Sequence, residues 1–258
     1  MKFKILTGLL TGLVVSTTTS LVNCQPTHAE NKSFSLGIPI DQNFRLLAST
    51  KVDLGAQVAS EALTKEQTAE EFYNQGVDKY REGDYPGAIE SYSQAIKLNP
   101  NYAEAYNDRG VVRSNLGDKK GAIADFDQAI KIKPNDANAY VNRGNLRDES
   151  GDRKGAIADY DQAIKNNPNN AIAYVNRGNV RDDSGDSQGA IADYEQALKI
   201  NPNYALAYYN RGITRSRLKD KQGAIADLQK STELFQKQGN KVLYEKAINI
   251  INRLQESP

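Results

Sequence analysis

The sequence predicts an all-α solenoid of five helix–turn–helix repeats followed by one capping helix, and two observations support this fold class. The first is a period of 34 residues, which glycine marks at Gly76, Gly110, Gly144, Gly178 and Gly212. The second is that other residue types keep the same period, with alanine at Ala88, Ala122, Ala156, Ala190 and Ala224 and proline at Pro100, Pro134, Pro168 and Pro202. One helix pair cannot bury its apolar face alone, so this repeat indicates stacked pairs that share a continuous core.

Each repeat carries signals for the ends of its two helices, as the third repeat illustrates. We predict helices over residues 137–149 and 153–166. Between them, Gly151 can adopt the left-handed conformation that ends a helix, and Asp152 can cap the next N-terminus. Pro168 stops the second helix, because proline lacks the backbone N–H that a continuing helix needs.

The recurrent glycine lies inside the first helix of each repeat, where it predicts close packing rather than a phosphate-binding loop. Gly144 on the first helix and Ala156 on the second have almost no side chain, so the two helices can approach closely there. We expect Tyr140 and Tyr160 to fill the space on either side.

Together these landmarks resemble the tetratricopeptide repeat (TPR) family over about two-thirds of the chain. The resemblance implies a right-handed TPR solenoid, in which the first helices of successive repeats line a concave groove that binds a protein or an extended peptide. The predicted repeats are residues 69–102, 103–136, 137–170, 171–204 and 205–238. The sequences of these repeats are similar to those of TPR arrays that are common in cyanobacterial proteins.

The fifth repeat departs from the pattern at its end. Lys219 stands in place of the turn glycine, and Gln236 in place of the proline. The second helix should therefore continue to about Gln238. A capping helix over residues 241–256 follows, with one apolar face formed by Tyr244, Ala247, Ile248, Ile251 and Leu254.

The N-terminal residues 1–29 have the pattern of a secretory signal peptide. Lys2 and Lys4 precede a short apolar run over residues 5–15, and small residues lead to a cleavage site after Ala29. This pattern predicts export to the periplasm, to a thylakoid lumen or to the medium. It also predicts that the mature chain has no membrane span. Two alternatives are a lipid anchor on Cys24, which ends a segment resembling a lipoprotein box, and an uncleaved N-terminal anchor.

Residues 30–63 mix serine, glycine and proline with scattered apolar residues and show no period, so we predict a flexible linker. Thr64 and Gln67 have the spacing of a capping box, which predicts that the first helix of the array begins there. The array then occupies residues 64–258.

Composition excludes several classes of function. A net charge of +1 creates no field that would attract nucleic acid. The single cysteine and the single histidine both lie in the first 29 residues. The mature chain therefore has no residues for a disulfide, for a thiolate or imidazole metal site, or for cysteine or histidine catalysis. We expect no metal and no cofactor.

Arginine occurs in pairs four residues apart, and aspartate recurs on the second helices with the same period. The arginine pairs are Arg109 and Arg113, Arg143 and Arg147, Arg177 and Arg181, and Arg211 and Arg215, and the aspartates are Asp125, Asp159, Asp193 and Asp227. Matched numbers at one period favour ion pairs between the helices. The alternative is a strip of arginines that binds anions.

Polar residues recur on the face that the resemblance assigns to the groove. The candidate peptide-binding residues are Asn74, Asn142, Asn145, Asn176, Asn179, Asn210, Val141, Val175, Asp148 and Asp182. An asparagine amide can both donate to and accept from a peptide backbone. The pattern resembles the asparagine ladder of long TPR superhelices, and it differs from the carboxylate clamp, which needs lysine where Val141 and Val175 stand. The alternative is a polar face that is merely solvated.

The predicted function is a non-catalytic scaffold or adaptor that binds a protein or an extended peptide outside the cytoplasm. The alternative is a self-associating structural component, such as a part of an envelope or membrane complex. An enzyme would have to use adjacent carboxylates such as Asp148 and Glu149 or Asp182 and Asp183, and neighbouring positions on a helix do not point at one substrate atom.

Overall fold

The computed structural model describes residues 42–256, and within them the chain forms eleven α-helices. The helices are α1 Gln42–Glu82, α2 Tyr85–Leu98, α3 Ala103–Asn115, α4 Lys119–Ile132, α5 Ala137–Glu149, α6 Arg153–Asn166, α7 Ala171–Asp183, α8 Ser187–Ile200, α9 Ala205–Arg217, α10 Lys221–Lys237 and α11 Lys241–Glu256. Each odd-numbered helix up to α9 packs against the helix that follows it, and each pair packs against the next. The predicted fold class, an all-α solenoid of five helix pairs and a capping helix, is confirmed.

The turn chemistry predicted for the third repeat is confirmed. Gly151 has a φ of 88°, which is left-handed backbone that favours glycine. Asp152 caps α6, because its side chain accepts a hydrogen bond of 2.9 Å from the backbone N–H of Gly155. In the fifth repeat Lys219 adopts the same left-handed conformation, with a φ of 64°. A side chain in this conformation costs about 1–2 kcal/mol, so this turn is strained.

The close approach predicted at the mid-helix glycine is also confirmed. A Cβ atom at Gly144 would lie 2.8 Å from Cε1 of Tyr160, which is too close for any side chain. The Tyr160 ring is fully buried, and it lies in a cluster with Val141, Ala156 and Val180. Because this cluster contains residues of both the third and the fourth repeats, each repeat helps to complete the core of its neighbour.

The first helix begins well before the residue that the capping-box spacing predicted. Helix α1 starts at Gln42, so the predicted linker over residues 30–63 is wrong from Gln42 onwards. The hydroxyl of Thr64 donates to the backbone carbonyl of Ser60 at 2.7 Å, one turn earlier in the same helix, instead of capping a new one. The segment from residue 56 to residue 75 contains no glycine or proline that would end a helix. The proposed signal peptide and Cys24 lie outside the described residues.

The C-terminal end of the array closes as predicted, with one difference in the residues that are buried. Helix α10 ends at Lys237, and Gly239 follows with a φ of 69°. On α11 the buried side chains are those of Leu243, Ala247 and Ile251, whereas the predicted contacts Tyr244, Ile248 and Leu254 are only partly buried. Leu243 was not predicted. No helix in residues 42–256 is long and apolar enough to cross a membrane.

Candidate functional site

The first helices of consecutive repeats lie side by side, and buried asparagines join them. We call the surface formed by α1, α3, α5, α7 and α9 the first-helix face. The side-chain N–H of Asn176 donates to the amide oxygen of Asn145 at 2.8 Å, and Asn210 donates to Asn179 at the same distance. One repeat earlier, Asn142 donates to Asn107 at 3.0 Å. These bonds form an asparagine ladder that fixes each first helix to the next.

The ladder is covered by the helices that it joins. The exposed fraction is 3% for Asn142, 1% for Asn145 and zero for Asn176, Asn179 and Asn210. The expectation that these amides are open to a ligand is therefore wrong. The hydroxyl groups of Tyr160 and Tyr194 also donate to the amide oxygens of Asn145 and Asn179. A peptide-binding role for these asparagines stays a prediction, and a ligand could reach them only by opening contacts between repeats.

Val141 and Val175 are likewise fully buried, and each packs in the core between two repeats. The expectation that they are open to a ligand is therefore wrong as well. Asn74 is exposed, because the first repeat has no earlier repeat to cover it. The position of a residue on one face of a helix was predicted correctly, but how far the neighbouring helix covers that face was not.

Acidic side chains lie at the C-terminal ends of α5 and α7 on the first-helix face. Glu149 and Asp183, at the C-terminal ends of α5 and α7, are exposed, and Asp148 is half-buried. Asp182 is buried instead, with only 3% exposed. Its carboxylate accepts hydrogen bonds of 2.8 Å from the Ser187 hydroxyl and 2.7 Å from the Thr214 hydroxyl, and it also pairs with Arg217 of the next repeat.

A signal for the ladder was present in the sequence. Asparagines recur three residues apart in two repeats, as Asn142 with Asn145 and Asn176 with Asn179. Matched donors and acceptors at one period predicted that the arginines pair with aspartates. The same reasoning, applied to amides that carry both a donor and an acceptor, predicts that asparagines pair with one another.

The arginines of the repeats bind aspartates, which confirms the ion-pair interpretation. In the third repeat Nη2 of Arg143 lies 2.6 Å from Oδ1 of Asp159, and Nη1 of Arg147 lies 2.9 Å from Oδ2 of the same carboxylate. Arg143 also reaches Asp127 of the preceding repeat, at 2.6 Å. Burial acts to lower the pKa of Arg143, but its hydrogen bonds to Asp159 and Asp127 hold that pKa above its ordinary value. The arginines are therefore engaged within the fold.

The adjacent carboxylates of Asp182 and Asp183 lie in different surroundings. Asp182 is buried between repeats, whereas its neighbour Asp183 is exposed, so the two carboxylates do not meet at one substrate atom. Among the residues whose side chains the structure describes, which are 58, 60, 61 and 63–256, no group of histidine, cysteine or acidic residues has the arrangement of a metal site.

Asp108 continues the ladder in the second repeat, with a carboxylate in place of an amide. The hydroxyl of Tyr73 donates to Oδ2 of Asp108 at 2.8 Å, and the Asn107 amide donates to Oδ1 at 3.0 Å. Burial raises the pKa of Asp108 to about 6, although these two hydrogen bonds act in the opposite direction. The corresponding residues of the next three repeats are Asn142, Asn176 and Asn210.

We expect Asp108→Asn to raise the free energy of unfolding at pH 7 by about 1–2 kcal/mol. The native protein holds a proton on Asp108 more tightly than the unfolded chain does. Native stability therefore falls as the pH rises from about 4 to about 6, and asparagine removes this fall. The gain is smaller than the pKa shift alone implies, because Tyr73 and Asn107 then donate to a neutral acceptor. Urea unfolding at pH 4.5 and pH 7 measures the difference.

The exposed Asp78 provides the matched control for that measurement. Asp78→Asn should change stability by about 0.5 kcal/mol or less at either pH. An equal effect of Asp108→Asn at both pH values would contradict the assignment of a raised pKa to this carboxyl.

Comparison with family models matches the chain to tetratricopeptide repeats. A model described as "TPR repeat" matches residues 76–117, 144–182 and 183–218. Two models described as "Tetratricopeptide repeat" match residues 103–136 and 205–238. Together these matches cover more than half of the chain. No curated protein sequence matches it.

Solved structures of TPR-like form are similar to the chain over most of their own length. A crystal structure of MamA is 26% identical, with a TM-score of 0.58, and the match covers 67% of this chain and 94% of that one. MamA from Desulfovibrio magneticus RS-1 is 23% identical with a TM-score of 0.59, covering 66% and 97% of the two chains. YrrB, described as a TPR protein with an unusual peptide-binding site, is 20% identical with a TM-score of 0.56, covering 74% and 97%. The last two likenesses show the fold alone.

Proposed function

The chain belongs to the tetratricopeptide repeat family, and from this premise we propose that it is a non-catalytic scaffold, acting outside the cytoplasm, that binds an extended segment of a partner protein along the first-helix face. Repeats of this family support a role in protein interaction. The observation that carries the finer proposal is the exposed acidic surface formed by Glu149 and Asp183 on neighbouring first helices.

The surroundings of these carboxylates favour a partner that carries lysine or arginine at this place. The arginines of the same repeats are already bound to aspartates such as Asp159 and Asp193, so they do not neutralise a ligand-binding face. Lys119 approaches Glu149 at 3.4 Å, but the two side chains are 46% and 39% exposed to water, so this pair is weak. A basic ligand can compete for Glu149 and would associate faster at low salt.

We expect Glu149→Lys combined with Asp183→Lys to weaken partner binding about tenfold or more, because two attractive contacts become repulsive. The partner would first be captured from the source cells by crosslinking to the tagged chain, and then titrated against the purified protein. Circular dichroism and the unfolding temperature should stay unchanged, since both side chains are exposed.

Glu90→Lys combined with Glu233→Lys is the matched control, since it makes the same change of charge at exposed positions on two second helices, α2 and α10. The control should bind like the wild type. Equal binding by both double variants would contradict the first-helix face as the site, and failure to capture any partner would contradict the scaffold function.

Export is a separate part of the proposal, and it is supported by the residues that precede the described part of the chain. Lys2, the apolar run over residues 5–15 and the small residues before Glu30 have the pattern of a cleaved signal. We expect N-terminal sequencing of the protein from its source cells to begin at Glu30. A lipid-modified N-terminus at Cys24 would instead establish the anchored alternative.

A further inference from the structure

Helix α1 extends far beyond the repeat that it begins. It has 41 residues, whereas α2, the helix that packs against it, has 14. At 1.5 Å per residue these lengths are about 62 Å and about 21 Å, so α2 can cover only about a third of α1. Ala69 is 1% exposed, and the core of the first repeat follows it with Val77 and Tyr92. We call residues 42–68, which precede this core, the N-terminal arm.

The N-terminal arm continues the apolar face with which α1 packs in the first repeat. Tyr73, Gly76 and Tyr80 lie on that face, against or near Tyr92 of α2. Helical spacing places further apolar residues on the same face, and they are Phe44, Leu47, Ala48, Leu54, Val58, Ala59 and Ala62. Val58 is 59% exposed, and so is Leu63 at the edge of this face. An exposed apolar face leaves the helix without the packing from which most helical stability comes.

The opposite face of the arm is mostly polar and carries no lysine or arginine. Asp53, Gln57, Glu61 and Thr64 lie on this face by helical spacing. A helix that lies on a membrane has lysine and arginine on its polar face, where they meet anionic lipid headgroups. Acidic residues at that place would be repelled, so the composition of the polar face favours a protein partner over a lipid surface.

Charge is distributed unevenly along the arm. Residues 42–52 contain two basic residues and no acidic one, whereas residues 53–66 contain three acidic residues and one basic one. They are Arg45 and Lys51 in the first half, and Asp53, Glu61, Glu66 and Lys65 in the second. Two arms that ran in the same direction would place like charges side by side. Two arms that ran in opposite directions would place the basic half of each beside the acidic half of the other.

We propose that the N-terminal arm is a dimerisation surface, which pairs in the antiparallel direction with the arm of a second copy of this chain. The two apolar faces would cover each other, and a two-fold axis would give both arms the same contacts. Lys51 falls on the apolar face, where one polar residue fixes the register of paired helices at some cost in stability. This inference goes beyond the proposed scaffold function, because the dimer would carry two arrays at opposite ends of the paired arms.

The apolar face is tested by Leu54→Glu combined with Val58→Glu, in the protein as it is purified from its source cells. We expect the wild type to sediment as a dimer at about 0.1 mM, and the variant to have a dimer Kd at least about tenfold higher, because its carboxylates would be buried in the interface. Gln57→Glu combined with Thr64→Glu is the matched control, since it adds the same charge to the opposite face. The control should dimerise like the wild type. Wild-type monomers at this concentration would overturn the proposal.

The direction of pairing is tested by reversing charges while the apolar residues stay in place. Arg45→Glu combined with Lys51→Glu makes both halves of the arm acidic, and we expect it to raise the dimer Kd at least about tenfold. Adding Glu61→Lys and Glu66→Lys to the same chain makes the two halves opposite in charge again. This fourfold variant should return to about the Kd of the wild type. A fourfold variant that stays as weak as the twofold one would overturn the antiparallel pairing.

Other outcomes would replace the occupant or the site that we propose. Wild-type chains that bind vesicles of phosphatidylglycerol, and stay monomeric in solution, would identify a lipid surface as the occupant and overturn the inference. Dimers of unchanged Kd in the variant of Leu54 and Val58 would overturn the arm as the interface. Dimerisation as expected, with no partner captured, would contradict the scaffold function and leave this inference intact.

Discussion

Asp159→Ala should lower the free energy of unfolding by about 3 kcal/mol, whereas Asp127→Ala should lower it by about 1 kcal/mol or less. Both carboxylates bind the same guanidinium, that of Arg143, at 2.6 Å. They differ in exposure, since the Asp159 side chain is 3% exposed and that of Asp127 is 48% exposed. The comparison therefore holds the shared cation and its distance constant, and it changes the burial of the carboxylate and the number of arginines that the carboxylate binds.

The larger loss of stability in Asp159→Ala is expected because two arginines lose the carboxylate that they share. Arg143 and Arg147 both donate to this one carboxylate, and their side chains are only 14% and 29% exposed. Without Asp159, two partly desolvated cations would lie close together with no shared counter-charge, and like charges repel more strongly away from water. Arg143 also lies over the Tyr140 ring, with Cζ 5.6 Å from its centroid, and this contact partly holds it in place.

Urea unfolding of the two variants at pH 7 measures the difference, and the fourth repeat provides an independent replicate. There Asp193 corresponds to Asp159, and Asp161 corresponds to Asp127. We expect the same order of effects in both repeats. Equal losses of stability on replacing the buried and the exposed aspartates would contradict the view that the buried aspartates contribute more to the stability of the array.

The pattern of the sequence predicted the fold because the repeat constrains every unit in the same way. Glycines, prolines and capping aspartates mark each turn locally, so the bounds of α5 and α6 could be predicted from nearby residues. The arginine pairing could be predicted for a related reason, since one pair of arginines and one aspartate recur in each repeat at the same period, which leaves few other arrangements.

The candidate site could be predicted only in part, because its exposure depends on how repeats pack. Helical spacing placed Asn142 and Glu149 on one face, but Asn142 is buried where it contacts Asn107 of the preceding repeat, whereas Glu149 is exposed. The cleft of about 610 Å³ that Ile213 and Leu254 line between α9 and α11 could not be predicted, because its shape depends on how the capping helix packs against the fifth repeat. The pKa of Asp108 likewise depends on its burial beside Tyr73, which belongs to another repeat.

Ile251→Ala should lower the free energy of unfolding by about 2–4 kcal/mol, and Leu243→Ala by a similar amount. Each side chain is 5% exposed and packs in the C-terminal core with residues that include Tyr209 and Phe235. Alanine would remove apolar surface from this core and leave a cavity that the surrounding helices fill only partly. Val242, which is 61% exposed on the same helix, is the control, and Val242→Ala should change stability by about 0.5 kcal/mol or less.

These variants test whether the packing of α11 stabilises the other helices of the array or only α11 itself. In a solenoid each repeat is stabilised by its neighbours, so a weakened cap should destabilise the fifth repeat first and then the repeats that pack against it. Hydrogen exchange of Ile251→Ala should accordingly show the largest loss of protection in α9 and α10, with smaller losses towards α3. Loss of protection confined to α11, with unchanged unfolding of the other helices, would show that the array does not depend on its cap.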